Sequence, residues 1–187
     1  AGDYDIQRLM IEGYCLEGMN RYDEAAVYAG RALALKDAFA PALNLKGVLA
    51  YREGALDAAE GFFCRAVDSD PGYGEPQTNL GVLKLAREQT NEAIDLLEKG
   101  FILSPDVNDM ATAFHSAITA SGDFSKGENR FVDAVALNPH NRNLRYLLID
   151  LFLRQGKYEP ALNEIEKLMI AFGMDDGLVT AALEIRE

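Results

Sequence analysis

The sequence predicts an all-α solenoid of stacked helix pairs, and three columns of residues predict it. Pro71, Pro105 and Pro139 stand 34 residues apart, with Asp37 one step earlier in the same series. Counting each repeat from Ala40, glycine recurs at the eighth place as Gly13, Gly47 and Gly81. Small residues fill the twentieth place (Ala25, Ala59, Ala93, Gly127, Ala161) and the twenty-seventh (Ala32, Ala66, Gly100, Ala134), until Leu168 breaks the latter. Self-similarity at this period marks units that bury their apolar faces only by stacking on one another. Five repeats follow, 6–39, 40–73, 74–107, 108–141 and 142–175, with a twelve-residue remainder, so that 1–187 reads as a single solenoid domain.

Local signals place two helices in each repeat. The first ends near Asn20, Gly54, Gly122 and Gly156, residues suited to a left-handed turn. The third repeat has Glu88 at that place, which predicts a strained or altered turn. The second helix begins after Asp23, Asp57, Asn91, Ser125 and Glu159, read as caps for the orphan amides of the first turn. Asp57 with Glu60, and Ser125 with Glu128, have capping-box spacing. Pro160 follows Glu159 at the first helical position, where its missing N–H costs nothing. The periodic prolines then separate each helix pair from the next. The remainder, from Asp176 to Glu187, reads as one more amphipathic helix that turns Leu178, Val179, Ala182, Leu183 and Ile185 to the stack and Thr180, Glu184 and Glu187 outward. It would cap the array.

The small columns have a packing reason. Gly13, Gly47 and Gly81 opposite Ala25, Ala59 and Ala93 let paired backbones approach, while Phe63, Leu97 and Phe131 fill the space between repeats. His115 takes the glycine place in the fourth repeat and reads as a packing substitution compensated by Gly127. His140 reads as a loop residue.

The residues that carry the period also carry a resemblance. The second repeat runs Ala40-Pro-Ala-Leu-Asn-Leu-Lys-Gly47, then Ala50-Tyr51-Arg-Glu-Gly54, Ala58-Ala59, Phe63, Ala66 and Asp70-Pro71. The third keeps Leu80-Gly81, Ala93, Leu97 and Pro105; the fourth Gly122-Asp123-Phe124, Phe131, Ala134 and Pro139; the fifth Gly156-Lys157-Tyr158, Ala161 and Ile165. The first keeps Gly13, Tyr22-Asp-Glu-Ala25 and Ala32. This pattern resembles the tetratricopeptide repeat over almost the whole chain. The resemblance implies a right-handed superhelical solenoid of antiparallel helix pairs with a C-terminal capping helix.

Composition excludes several function classes. With 30 acidic against 18 basic residues, the net charge is −12, which argues against nucleic acid, whose binding needs a basic footprint. No stretch approaches the length of a membrane helix. No signal-peptide pattern appears. Two histidines and two cysteines make no metal-binding motif, and no phosphate-binding glycine loop or nucleophile elbow occurs. Neither a cofactor nor catalysis is expected. Cys15 and Cys64 fall on helices that do not adjoin, so free and largely buried thiols are expected. Free thiols fit a reducing compartment such as the cytoplasm.

The resemblance implies that the first helices of the repeats line a concave groove. The inward places would hold Tyr14 in the first repeat, Asn44, Val48 and Tyr51 in the second, and Asn79 and Val82 in the third. Thr112 and Ser116 in the fourth and Tyr146 and Asp150 in the fifth continue the lining. Ile11, Leu45 and Leu147 share a place read as core. The three tyrosines have two readings, groove lining or packing between repeats. The basic set by which some family members clamp a terminal carboxylate is missing: Asn79 matches one member, but Met10, Tyr14, Asp109 and Ala113 stand where the others belong. The lining suits an extended or helical peptide anchored by apolar side chains, with Asn44, Asn79 and Asn143 free for hydrogen bonds. The expected role is therefore a non-catalytic scaffold for a protein or peptide partner. The alternative is an accessory or self-association module of a larger bacterial enzyme, for example a glycosyltransferase, or of an assembly factor, acting through the terminal helix. The start at Ala1 without Met, and the stop at Glu187 without a helix-ending residue, read as a segment of a longer polypeptide.

Overall fold

The computed structural model describes residues 2–174 and 176–186 of the chain, and within them it contains eleven α-helices and no strand. Ala1, Asp175 and the expected outward Glu187 lie outside the described residues. The chain divides into two compact units, Ala1–Leu103 and Ser104–Glu187. The N-terminal unit holds α1 (Gly2–Gly18), α2 (Tyr22–Leu35), α3 (Ala40–Arg52), α4 (Leu56–Ser69), α5 (Gly74–Ala86) and α6 (Thr90–Leu103). The C-terminal unit holds α7 (Asn108–Ser121), α8 (Phe124–Leu137), α9 (Arg142–Arg154), α10 (Tyr158–Phe172) and α11 (Asp176–Arg186). Each helix packs on the next within its unit, and the first helices of successive repeats also touch, α1 with α3, α3 with α5, α7 with α9. That pattern is the stacking the 34-residue period requires.

The close approach within the second and third pairs is set by glycine. A Cβ on Gly47 would lie 2.4 Å from the ring of Phe63, and one on Gly81 would lie 2.7 Å from Leu97. Phe63, Leu97, Phe131 and Ile165 occupy one place of the repeat and are all buried. Gly127 serves a neighbour other than the one expected: its missing Cβ would lie 2.7 Å from Ile118, so it makes room for that branched side chain and does not compensate His115.

Four of the turns inside the pairs share one hydrogen bond, between residues five apart: Arg21 N–H to Leu16 O, Ala55 to Ala50, Gln89 to Lys84 and Lys157 to Phe152, each 2.9 Å. Glu88 adopts φ +61°, beside +76° at Gly54 and +69° at Gly156, so the third turn is strained without being altered. The turn that differs is the fourth. There α7 runs on to Ser121, Gly122 caps it at φ +77°, and Asp123 N–H donates to Ser121 Oγ at 3.2 Å.

The second helices begin earlier than expected. Asp23, Asp57, Asn91, Ser125 and Glu159 are the second helical residues, and none of the preceding caps described accepts a side-chain bond. The reason is the tight turn, which leaves a single residue between the left-handed position and the helix. The carbonyl of that residue takes the N–H of the alanine column (Ala25 to Arg21 at 3.0 Å, Ala59 to Ala55 at 2.9 Å). Asp23, Asp57 and Glu159 still place negative charge at the positive helix end. Pro160 becomes the third helical residue, still among those without an intrahelical donor requirement. The expected capping boxes do not form, because Glu60 and Glu128 reach to the next repeat. Glu60 pairs with Lys84 (2.9 Å) and Arg87, and Glu128 takes Gln155 (2.8 Å) and Lys157 (2.6 Å).

Two prolines impose a demand that two side chains meet. Gln77 Nε2 donates to Pro71 O at 2.9 Å, and Arg145 donates through Nε and Nη2 to Pro139 O at 3.2 Å. Both residues hold the fourth place of their repeats. Arg145 is buried, and its charge is balanced by the equally buried Glu164, which also takes Lys167 Nζ at 2.6 Å.

Four side chains lie on the surface against expectation. Cys15 and Cys64 are exposed, each on the outward arc of its helix, Cys64 next to the buried Phe63. Ile11 is exposed while Leu45, at the same place, is fully buried. In α11, Leu178 enters the core as expected, but Leu183 is 57% exposed.

Two pairs of variants test this packing by chemical unfolding. Gly47→Ala is expected to lose about 1–3 kcal/mol, since Phe63 must leave its rotamer. Gly61→Ala, where a Cβ meets nothing within 4 Å, is expected to gain about 0.5–1 kcal/mol. Glu88→Gly relieves the left-handed strain and is expected to gain up to about 1 kcal/mol, whereas Gly54→Glu loses a similar amount.

Candidate functional site

On the N-terminal unit, α3 and α5 present a concave pocket of about 270 Å³. Val48, Tyr51 and Arg52 come from α3, Asn79 and Val82 from α5, and the buried Phe63 of α4 forms the floor. Repeat spacing produces this arrangement: Val48 and Val82 hold the same place one repeat apart, and Tyr51 lies one helical turn beyond Val48. Tyr51 is 37% exposed. Arg52 stands at the rim, its Nη2 at 2.7 Å from Glu17 and its guanidinium 5.1 Å from the ring of Tyr22.

Behind the pocket runs a chain of polar side chains across three repeats. Asn79 Nδ2 donates to Asn44 Oδ1 at 2.9 Å. Asn44 Nδ2 donates in turn to Glu75 Oε2 at 3.3 Å and to the Tyr14 hydroxyl at 3.5 Å. Tyr14 donates to Pro41 O at 3.0 Å, and the Tyr73 hydroxyl donates to Glu75 and lies 3.2 Å from that of Tyr14. Burial raises both phenols above the usual 10, Tyr73 further because Tyr14 and Glu75 stand beside it. Both therefore stay protonated donors.

The pocket thus brings together Val48, Tyr51, Asn79 and Val82 of the sequence-derived lining. Asn44 departs from expectation. It is 1% exposed with its amide fully engaged, so it orients Asn79 and is not free for a partner. Tyr14 is half-buried and serves as a strut between repeats. Sequence reasoning gave Tyr73 no role and read Phe63 as core alone. Tyr73 was detectable as the residue before α5, aligned with Phe39 before α3.

On the C-terminal unit the expected lining does not converge. Thr112 and Ser116 are exposed on α7, and Thr112 Oγ1 donates back to Asn108 O at 2.8 Å. Tyr146 accepts from Arg142 Nη2 at 3.3 Å and borders an open depression of about 840 Å³ that also touches Asp106, Pro139 and His140. Asn143 has a buried Nδ2 and offers no exposed donor there. Among the described residues no three His, Cys, Asp or Glu could hold a metal ion, and no helix is long and apolar enough to cross a membrane.

Two family models described as tetratricopeptide repeat match residues 13–74 and 119–183, together most of the chain. No curated protein matches by sequence. Among solved structures, pilF of Pseudomonas aeruginosa is similar over 98% of this chain and 84% of its own, with TM-score 0.73 and 16% identity. YrrB, described as a TPR protein with an unusual peptide-binding site, is similar over 98% of both chains, with TM-score 0.62 and 18% identity. An O-GlcNAc transferase of Thermobaculum terrenum is similar over 73% of this chain and 26% of its own, with TM-score 0.62 and 22% identity. At such identities the likeness is one of fold.

His115 and Asp150 are the pair on the C-terminal unit with a titration of consequence. His115 Nε2 lies 2.9 Å from Asp150 Oδ2, which also takes Arg154 Nε at 2.6 Å, and the imidazole stands edge-on to Phe131 at 6.0 Å. Burial holds the imidazole below its usual 6.5, with Asp150 opposing the shift and Arg154 adding to it. The folded protein therefore takes up this proton later than the unfolded chain, so stability present above about 6.5 falls as pH drops below it. Urea unfolding at pH 7.5 and pH 5 is expected to show a smaller acid loss for His115→Gln than for the wild type.

Proposed function

Because the chain belongs to the tetratricopeptide repeat family, whose members are generally non-catalytic scaffolds for protein interactions, we propose that it binds a peptide segment of a protein partner along the α3–α5 face. The pocket between Tyr51 and Val82 carries this reading. At about 270 Å³ it falls just below the usual range for small-molecule sites and suits a single anchoring side chain. Its walls are aliphatic and aromatic, and Asn79 supplies one carboxamide at the edge for the main chain beside the anchor.

The test compares wild type with Tyr51→Ala/Asn79→Ala in capture from a lysate of the source organism, followed by titration of the purified partner. Helicity and melting are measured first. At least a tenfold weakening is expected, the usual loss when a central aromatic anchor is truncated. A partner indifferent to this double change, yet lost on charge reversal of Glu92, Asp95 and Glu98, would move the interface to the outer face.

A second reading has its own observation. Ile170 in the last turn of α10 and Met174 just beyond that helix are each 86% exposed, and Leu183 of α11 adds to the apolar surface of the same unit. Repeats of this fold occur within a longer transferase, as the Thermobaculum likeness illustrates. On this reading the chain is a self-associating accessory module of a larger enzyme or assembly factor. Sedimentation velocity would then show concentration-dependent dimerisation that Ile170→Glu/Leu183→Glu abolishes; a monomer at all concentrations would dismiss it.

A further inference from the structure

We propose that Glu75 is a positioning residue that sets which end of the Asn79 carboxamide the pocket presents, so that the pocket selects a peptide donating a main-chain N–H beside an apolar anchor. The proposal rests on the pocket being a peptide site, as argued above. Its own foundation is the direction of the hydrogen bonds behind that pocket.

A carboxylate accepts and cannot donate. Glu75, exposed to water on its outer side, therefore takes only N–H or O–H groups from the protein, and receives them from Tyr73 and from Asn44 Nδ2. Once the Asn44 amide nitrogen faces Glu75, its carbonyl oxygen must face the other way, toward α5. There it takes Asn79 Nδ2 at 2.9 Å. Asn44 is buried too deeply for water to correct a wrong orientation, and a reversed carboxamide would set oxygen against oxygen at Glu75. The polarity is thereby passed through two asparagines. It leaves Asn79 Oδ1, which has no partner among the described residues, as an acceptor at the wall of the pocket formed with Val48, Tyr51 and Val82. Tyr14 supports the same direction. Its own proton goes to Pro41 O, so its oxygen is free to accept from Asn44.

Glu75→Gln removes the constraint with little change of shape, because glutamine can donate or accept at the same site. Neutron diffraction from deuterated crystals of wild type and Glu75→Gln reads the asparagine deuterons directly. In the wild type, Asn44 deuterons are expected toward Glu75 and Tyr14, and an Asn79 deuteron toward Asn44 Oδ1; the variant is expected to show mixed or reversed orientation. A reversed wild type, or a variant identical to it, overturns the relay whatever the pocket binds. The second arm takes the best apolar peptide selected from a randomised peptide library on the wild type and resynthesises it with an ester at the anchor's N–H. The wild type is expected to lose about fivefold to tenfold in affinity for the ester, and Glu75→Gln less than twofold. Equal losses in both proteins overturn the proposal. Failure of the library to yield any peptide lost with Tyr51→Ala would remove the peptide site and this selectivity with it, while the diffraction still judges the relay alone.

Discussion

The structure depends on how closely the two helices of a repeat can approach. Where Gly47 meets Phe63 and Gly81 meets Leu97, the backbone of one helix lies against a large side chain of the other, with no room for a methyl group. This contact lets Phe63 and Leu97 fill the space inside their repeats, and Phe131 and Ile165 are buried at the same place of the next two. The same contact brings the first helices of neighbouring repeats side by side. Only because α3 and α5 lie together can Val48, Tyr51, Asn79 and Val82 share one pocket, with Phe63 as its floor.

Polar groups are managed by the same geometry. A stack of short helices leaves many ends, and each end leaves donors and acceptors to be satisfied. Here the turns satisfy most of them with backbone alone, so the side chains expected as caps are released for other work. Glu60 and Glu128 tie a second helix to the following repeat, and Gln77 and Arg145 answer the carbonyls of the loop prolines. In the asparagine chain from Asn79 through Asn44 to Glu75, the buried Asn44 amide has partners for both its oxygen and its nitrogen.

Fold class was legible because it is written five times over. Prolines, glycines and alanines at constant spacing report a backbone requirement, and backbone requirements repeat with the fold. Helix starts were less legible, because Asp57 and Ser125 look the same in sequence whether they cap a helix or sit one residue inside it. The pocket was half legible. Periodicity put Val48, Tyr51, Asn79 and Val82 on one face, but whether an asparagine faces solvent or another asparagine depends on partners 31 and 35 residues away. Periodicity likewise implied that Ile11 would share the fate of Leu45, whereas burial depends on what covers a place as well as on the place itself.

The bridges from Glu60 and Glu128 also bear on how such a chain grows. Both acids hold the twenty-first place, which in the first, third and fifth repeats is Ala26, Ile94 and Leu162. Their partners, Lys84 with Arg87 and Gln155 with Lys157, lie in the third and fifth repeats. Repeats two and three, and repeats four and five, are thus matched couples. A genetic duplication that copied one repeat would strand a glutamate against the wrong neighbour, while one that copied a couple would carry lock and key together. By these bridges the side chains of the array match two repeats at a time, although its backbone repeats after one.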